Sequence, residues 1–264
     1  MKTLSPQHLF FALALLLFGA MAAVAGGHSS NPPVQILDLS NQLRELSGFA
    51  YDSQRGTVWS LSDKGNGAAL YEINLQTKTA RYVQVLGVHD LDWEGLVFDG
   101  DILWILDTGN NKGKRQTVRL LGIRSSDLDQ KTVSVFAQVA VEWPKKPQDV
   151  ESGYVQGNEM ILITKEPKHG PRFYSVDLHS KKSQVAQKIG ELSKMPSVSD
   201  AVVFKKSLYL LTDKGLYRVH HYAEGLGGDA ELVNDTFSGE FEALTHLPTG
   251  EFLIGNESGQ LFLL

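Results

Sequence analysis

Five polar residues recur at equivalent places along the chain, each just ahead of an apolar stretch. They are Ser47, Glu94, Glu151, Ser199 and Glu242. If the stretches that follow are the inner strands of one closed ring, these side chains meet around its axis, where three carboxylates repel one another strongly. Carboxylate, hydroxyl and water oxygens without His or Cys suit a hard cation, so we predict a calcium site, with magnesium as the alternative. The competing interpretation is that each residue only solvates the start of its strand.

A second polar set begins 13 to 16 positions after the first in each segment. A hairpin would return the second strand to the same mouth of the ring, where this set would form a ligand-binding face. The face is predicted to comprise Lys64, Asn110, Asn111, Lys165, Asp213 and Glu257. Asp63 and Asp107 are the candidates for a general base. Asp-Lys-Gly and Asp-Thr-Gly are also ordinary turn sequences, so a purely structural interpretation stays open for Asp63 and Asp213.

The elements that must position these residues are repeated apolar strands. Each unit contains a polar residue, a small residue, an apolar strand, a turn and a second apolar strand. Third strands are visible at residues 69–74, 172–177 and 215–219, and fourth strands at 81–86 and 134–139. Four antiparallel strands that repeat every 40 to 50 residues predict the blades of a β-propeller.

The number of blades and the way the ring closes also follow from the spacing. Glu242 is followed by only 22 residues, which is room for three strands ending at 260–264. We expect residues 34–39 to supply the missing outer strand, so that both ends of the chain share the last blade and no open sheet edge remains. The predicted fold class is an all-β, five-bladed propeller forming a single domain over residues 34–264. Six blades is the alternative.

The N-terminal segment has the features of an export signal. Lys2 precedes an apolar run at residues 9–24, and Ala23-Val24-Ala25 has the pattern of a cleavage site. We therefore predict a signal peptide over residues 1–25 and a periplasmic or secreted protein. Such compartments can supply enough divalent cation to fill weak calcium sites. A retained membrane anchor is the alternative, but the run is shorter than the roughly 20 residues a spanning helix needs. No later segment is apolar enough to cross a bilayer.

Composition excludes several classes of function. The 264 residues include no cysteine, which rules out thiol catalysis, thiolate metal sites and disulfides. The formal net charge of −5 argues against a nucleic-acid partner held by a basic face. We expect a monomer with a small-molecule or envelope ligand, whose identity the sequence does not reveal.

The repeated motifs resemble three groups of known propellers. The order Ser-Glu-Glu-Ser-Glu resembles the central calcium ring of the five-bladed calcium-activated nucleotidases. Glu45-Leu-Ser-Gly, Trp93-Glu-Gly-Leu and Phe241-Glu-Ala-Leu are similar to the blade openings of the SdiA-regulated family of exported propellers. The Asp-Trp-Glu and Asp-Thr-Gly-Asn-Asn strings are similar to those of exported esterase-like or phytase-like propellers.

These resemblances imply calcium at the five ring positions. They favour a ligand-binding or envelope-associated module of the SdiA-regulated type, and the alternative is a calcium-dependent hydrolase of phosphoesters or lactone-type esters at the same mouth. The sequence leaves open whether the protein is an enzyme. The fourth blade reads Ser199-Asp200-Ala201 rather than Ser-Gly, so Asp200 is the alternative ligand there.

Overall fold

The computed structural model describes residues 31–63, 65, 67–166, 169–180, 182–223, 226 and 229–264. The predicted signal peptide over residues 1–25 and the predicted ligand-face residue Lys64 lie outside the described residues. Within these ranges the chain is built almost entirely of strands, with a short 3-10 turn at Ser125–Asp127. No helix in the described part of the chain has the length and apolar character needed to span a membrane.

The strands alternate with short turns along the whole described chain. In chain order they are β1 (Val34–Asp38), β2 (Leu46–Asp52), β3 (Thr57–Ser62), β4 (Ala69–Asn74), β5 (Thr79–Leu86), β6 (Trp93–Asp99), β7 (Ile102–Asp107), β8 (Thr117–Arg124), β9 (Thr132–Ser134), β10 (Ala137–Glu142), β11 (Val150–Gln156), β12 (Glu159–Thr164), β13 (Arg172–Asp177), β14 (Gln184–Val185), β15 (Gln187–Glu191), β16 (Val198–Phe204), β17 (Ser207–Thr212), β18 (Gly215–His220), β19 (Glu231–Asn234), β20 (Phe241–His246), β21 (Phe252–Asn256) and β22 (Gln260–Leu263).

Across the described residues these strands form five sheets, the blades of a propeller. Their inner strands are β2, β6, β11, β16 and β20, and each lies beside the next, with β20 returning to β2. The last blade has the order β1-β22-β21-β20, and β1 pairs antiparallel with β22. The predicted five-bladed fold is therefore confirmed, and so is the shared last blade. The six-bladed alternative is wrong for the described part of the chain.

The connector after β8 differs from the prediction. A single fourth strand was expected at 134–139, but Thr132–Ser134 pairs parallel with β5 of the first blade and Ala137–Glu142 pairs with β8 of the second. The chain thus covers the outer edge of one blade before it returns to its own. An alternating apolar pattern predicts a strand, but it does not say which neighbour that strand will pair with.

The hydrophobic core lies between consecutive blades. Trp59 of the first blade and Trp93 of the second are fully buried in one cluster at their interface, and comparable clusters occupy the other interfaces. Because neighbouring blades cover both faces of each sheet, β3 and β17 are buried along their whole length. This packing leaves the ends of the inner strands as the surface available for a site around the axis.

Candidate metal centre

Each inner strand has a β-bulge at the position of the predicted ring. The pairing register shifts at the second or third residue of β2, β6, β11, β16 and β20. In four of these strands the residue left out of the pairing is the predicted ligand, namely Glu94, Glu151, Ser199 or Glu242, and in β2 it is Gly48. A bulge re-aims the local side chain. The repeated irregularity is therefore what presents the polar residues at one mouth of the ring.

The glycine after the polar residue permits neighbouring inner strands to approach closely. A Cβ atom on Gly48 would lie 2.8 Å from the Cα atom of Gly95 and 3.1 Å from the backbone nitrogen of Leu96. Gly48 also has a φ of 60°, in the left-handed region that favours glycine. Glycine at position 48 is thus required by the close approach of β2 and β6 and by its own backbone conformation.

The two serines of the predicted ring link adjacent blades. The Ser47 hydroxyl donates a 2.6 Å hydrogen bond to the carbonyl oxygen of Glu94, and the Ser199 hydroxyl donates a 2.7 Å bond to that of Phe241. Each bond uses the hydroxyl proton and leaves oxygen lone pairs available. A serine at this position can therefore join two blades and still offer an oxygen to a cation.

Glu94 lies in a cluster with two aspartates. One carboxylate oxygen from each of Asp63, Asp92 and Glu94 lies within 4.8 Å of the other two. Glu94 is 5% exposed, and its Oε1 atom has no hydrogen-bond partner among the described residues. Burial, followed by the charges of Glu151 and the two aspartates, raises the pKa of Glu94 well above its usual value. This is the arrangement in which a bound cation would stabilise the ionised carboxylates most.

Gly109 covers this cluster with its backbone. A Cβ atom there would overlap Glu94 Oε1 and would lie 2.8 Å from Asp92 Cγ. The backbone nitrogen of Gly109 donates a 3.1 Å hydrogen bond to the carbonyl oxygen of Asp92, which holds the segment in place. Glycine is therefore needed here to leave room around the two carboxylates.

The other two ring carboxylates share a lysine. Lys165 Nζ lies 3.2 Å from Glu151 Oε2. Burial raises the pKa of Glu151 to about 8 and that of Glu242 to about 7, while Lys165 acts to lower both. Burial lowers the pKa of Lys165, but the charges of Glu151 and Glu242 outweigh that effect and raise it. The structure thus brings these predicted residues into one charged environment with Glu94.

The side chain of Asp200, one residue after the ring position Ser199, makes hydrogen bonds to several blades around the central axis of the propeller. Its Oδ1 atom accepts hydrogen bonds from Ser152 Oγ and the backbone nitrogen of Ala201, both at 2.7 Å. Its Oδ2 atom accepts bonds from the backbone nitrogens of Leu244 at 2.6 Å and Phe49 at 3.4 Å. Burial raises the pKa of Asp200 to about 7, against the effect of these bonds. Because both oxygens are engaged by four blades of the protein, the geometry favours a structural link over a metal ligand.

Asp107, a candidate general base, is held by two arginines. It is fully buried, with Arg115 Nη2 2.8 Å from Oδ1 and Arg119 Nε 2.6 Å from Oδ2. Each of its carboxylate oxygens thus already accepts a hydrogen bond from a guanidinium group. The geometry therefore does not favour the expected role of Asp107 in catalysis.

The remaining members of the predicted ligand face are divided between two settings. Asn110 is buried and shapes its loop, since its Nδ2 atom donates to the carbonyl oxygens of Arg115 and Gln148. Glu257 is half-buried near the ring, where burial and neighbouring acids raise its pKa. Asn111 and Asp213 are exposed. Among the described members of the predicted face, only Lys165 and Glu257 thus have charge interactions with the ring glutamates.

Several acids near the ring were not predicted. Asp92 lies two residues before Glu94, Asp149 two before Glu151, and Glu240 two before Glu242. Burial raises the pKa of Asp149, and Asp149 and Glu240 raise those of Glu94 and Glu242 respectively. The signal that could have revealed this second layer is the repeated acid-x-acid spacing at the start of three blades.

The fold is similar to known propellers, but the sequence is not. No family model matches the chain, and no curated protein matches its sequence. Glutaminyl cyclase from Myxococcus xanthus is similar, with a TM-score of 0.55 and 12% identity over 89% of this chain and 94% of the cyclase. The PQQ-bound aldose sugar dehydrogenase from Streptomyces coelicolor has a TM-score of 0.52 and 10% identity over 89% of this chain and 97% of the dehydrogenase. Likeness at such low identity shows the β-propeller fold alone.

Proposed function

We propose that the protein is an exported, calcium-binding β-propeller that acts as a ligand-binding or envelope-associated module. The observation that carries the calcium site is the buried Oε1 atom of Glu94, which has no hydrogen-bond partner among the described residues and lies in the cluster of Asp63, Asp92 and Glu94. Carboxylates gathered in this way are unfavourable unless a cation compensates for their desolvation and repulsion. The donors are all oxygens, which suits calcium and, second, magnesium. Export is proposed from the N-terminal sequence pattern.

Glu94, Asp63 and Asp92 would hold the ion, with Ser47, Glu151, Ser199 and Glu242 forming the rest of the ring. When bound, calcium supplies the positive charge that the cluster needs and can accept an oxygen of a ligand. Gly109 keeps side-chain atoms away from the Glu94 and Asp92 carboxylates. The ring links made by the serines hold the surrounding blades in position.

A binding module is better supported than a hydrolase. Of the two candidate bases, Asp107 is locked by Arg115 and Arg119, and Asp63 belongs to the metal cluster. Turnover of nucleoside phosphates, phytate or lactones that requires calcium and disappears in Glu94→Gln would instead support the hydrolase.

The calcium site is tested by substitution of Glu94. We expect the unmodified protein to bind calcium with a dissociation constant on the order of 10⁻⁴ M, typical of extracellular sites. Glu94→Gln removes one ligand charge at nearly constant volume and should weaken binding at least tenfold, as measured by isothermal titration calorimetry. The control is Asp213→Asn, which removes an exposed acid that pairs only loosely with Lys214 at 3.7 Å. Equal affinities for Glu94→Gln and the unmodified protein would contradict the proposal.

A further inference from the structure

Lys165 is positioned firmly by its backbone at the end of β12. Its backbone nitrogen donates a 3.0 Å hydrogen bond to the carbonyl oxygen of Asp149, and its own carbonyl oxygen accepts a 3.4 Å bond from the backbone nitrogen of Val198. These bonds connect it to the segments that enter two successive inner strands. The side chain is 33% exposed and ends beside the buried carboxylate of Glu151. The ammonium group is therefore held at the ring although part of the side chain faces solvent.

The ring carboxylates are unequally compensated. Glu151 has an ion pair with Lys165, and Glu242 interacts with the same ammonium electrostatically. Glu94 interacts with it more weakly, after Glu151 and Glu242, and its Oε1 atom has no partner in the described residues. One side of the ring thus has a positive charge supplied by the chain, while the Glu94 side has the features of a metal site.

An ammonium group and a divalent cation compete for the same carboxylates. A carboxylate oxygen that is paired with Lys165 attracts a nearby metal ion less strongly, and the ammonium group and the metal ion also repel each other. In calcium sites, affinity changes with the number of ligand charges. A lysine that neutralises one of three ring glutamates should therefore reduce affinity substantially.

We propose that Lys165 is a built-in counter-ion of the ring that competes with calcium and limits how tightly the site binds it. The inference rests on the proposed calcium site, because it concerns the same carboxylates. It assigns Lys165 the role of setting the affinity of the site, whereas the sequence placed this residue only on a ligand-binding face.

The test compares calcium affinities of lysine variants by isothermal titration calorimetry, with calcium chloride as the probe. Lys165→Gln should bind calcium at least tenfold more tightly than the unmodified protein, whereas Lys165→Arg should stay within about threefold of it. Lys214→Gln is the matched control, since Lys214 is an exposed lysine just after β17, the second strand of the fourth blade, as Lys165 is just after β12, the second strand of the third. Circular dichroism checks that each variant is folded. If Lys165→Gln does not fold without metal, Lys165→Gln combined with Glu151→Gln restores charge balance and should return the affinity to near that of the unmodified protein.

The outcomes separate this inference from the calcium proposal itself. Binding by the unmodified protein with equal or weaker binding by Lys165→Gln would overturn the inference and leave the calcium site standing. Binding by Lys165→Gln alone would support Lys165 as the resident cation and contradict calcium binding by the native protein. Absence of binding in both proteins would overturn both.

Discussion

The carboxylate of Asp200 shows how one residue can stabilise the centre of the ring. It occupies the small position of the fourth repeat, where the other blades have Gly48, Gly95, Ser152 and Ala243. Its oxygens accept hydrogen bonds from residues of four blades, including Ser152 and two backbone nitrogens across the channel. Backbone N–H groups that face a channel need acceptors. The carboxylate of Asp200 is the acceptor for the backbone N–H groups of Leu244 and Phe49.

Asp200→Asn should destabilise the protein by about 2–3 kcal/mol. The substitution replaces one carboxylate oxygen with an NH₂ group, which cannot accept the hydrogen bonds that this oxygen receives and leaves buried donors without an acceptor. The free energy of unfolding, measured by urea denaturation, checks this prediction. Asp229→Asn, at an exposed position, should change the free energy by less than about 0.5 kcal/mol. A loss for Asp200→Asn no larger than that for the control would show that the hydrogen bonds across the channel contribute little.

At the scale of strands, closure of the ring depends on β1. Leu37 in this strand is 9% exposed and belongs to the cluster between the last blade and the first. Val34, at the start of the same strand, is largely exposed. The strand therefore contributes both hydrogen bonds to β22 and apolar contact to the interface that completes the propeller.

Leu37→Ala should lower the free energy of unfolding by about 2–3 kcal/mol, the cost of removing buried methylene groups from a packed cluster. It should also increase aggregation, because a weakened β1 uncovers the edge of β22. Urea denaturation and light scattering measure the two effects. Val34→Ala is the control and should have little effect on either. Similar behaviour of the two variants would mean that β1 is not needed to hold the ring closed.

The repeat predicted the blades well because strand formation and blade number depend on local apolar patterns. The pairing of β1 with β22 was also predictable, since the last blade lacked one strand. The parallel pairing of Thr132–Ser134 with β5 was not, because it depends on which edge is within reach in three dimensions. For the same reason the sequence identified Glu94 and Asp63 separately but not their cluster with Asp92. The arginine pairs of Asp107 were likewise hidden, because they join the end of β7 to Arg115 in the following loop and to Arg119 in β8.

Considered as a whole, the molecule concentrates acids with raised pKa values at one mouth. Burial raises the pKa to about 8 for Glu151, about 7 for Glu242 and about 6 for Asp90, from usual values near 4. Between roughly pH 4.5 and 8 the folded protein holds protons that the unfolded chain has already released. Folding then becomes less favourable as the pH rises through this window.

For metal-free protein we therefore expect the free energy of unfolding to fall between pH 5 and pH 8. If calcium binds the ionised carboxylates as proposed, saturating calcium should stabilise the folded state and remove most of this decrease. Urea denaturation at several pH values, with metal-free and calcium-loaded samples in parallel, gives both curves. Parallel curves would indicate that calcium does not interact with the titrating carboxylates.

The pairing of β1 with β22 has a consequence for how the protein is made. Val34 pairs with Leu263 and Asp38 with Gln260, so β1 finds its neighbour only after the strands of the other four blades have been synthesised. Contacts between such distant segments slow folding. The nascent chain would therefore lack a closed ring until β22 has been synthesised, and its last blade would form only at that point.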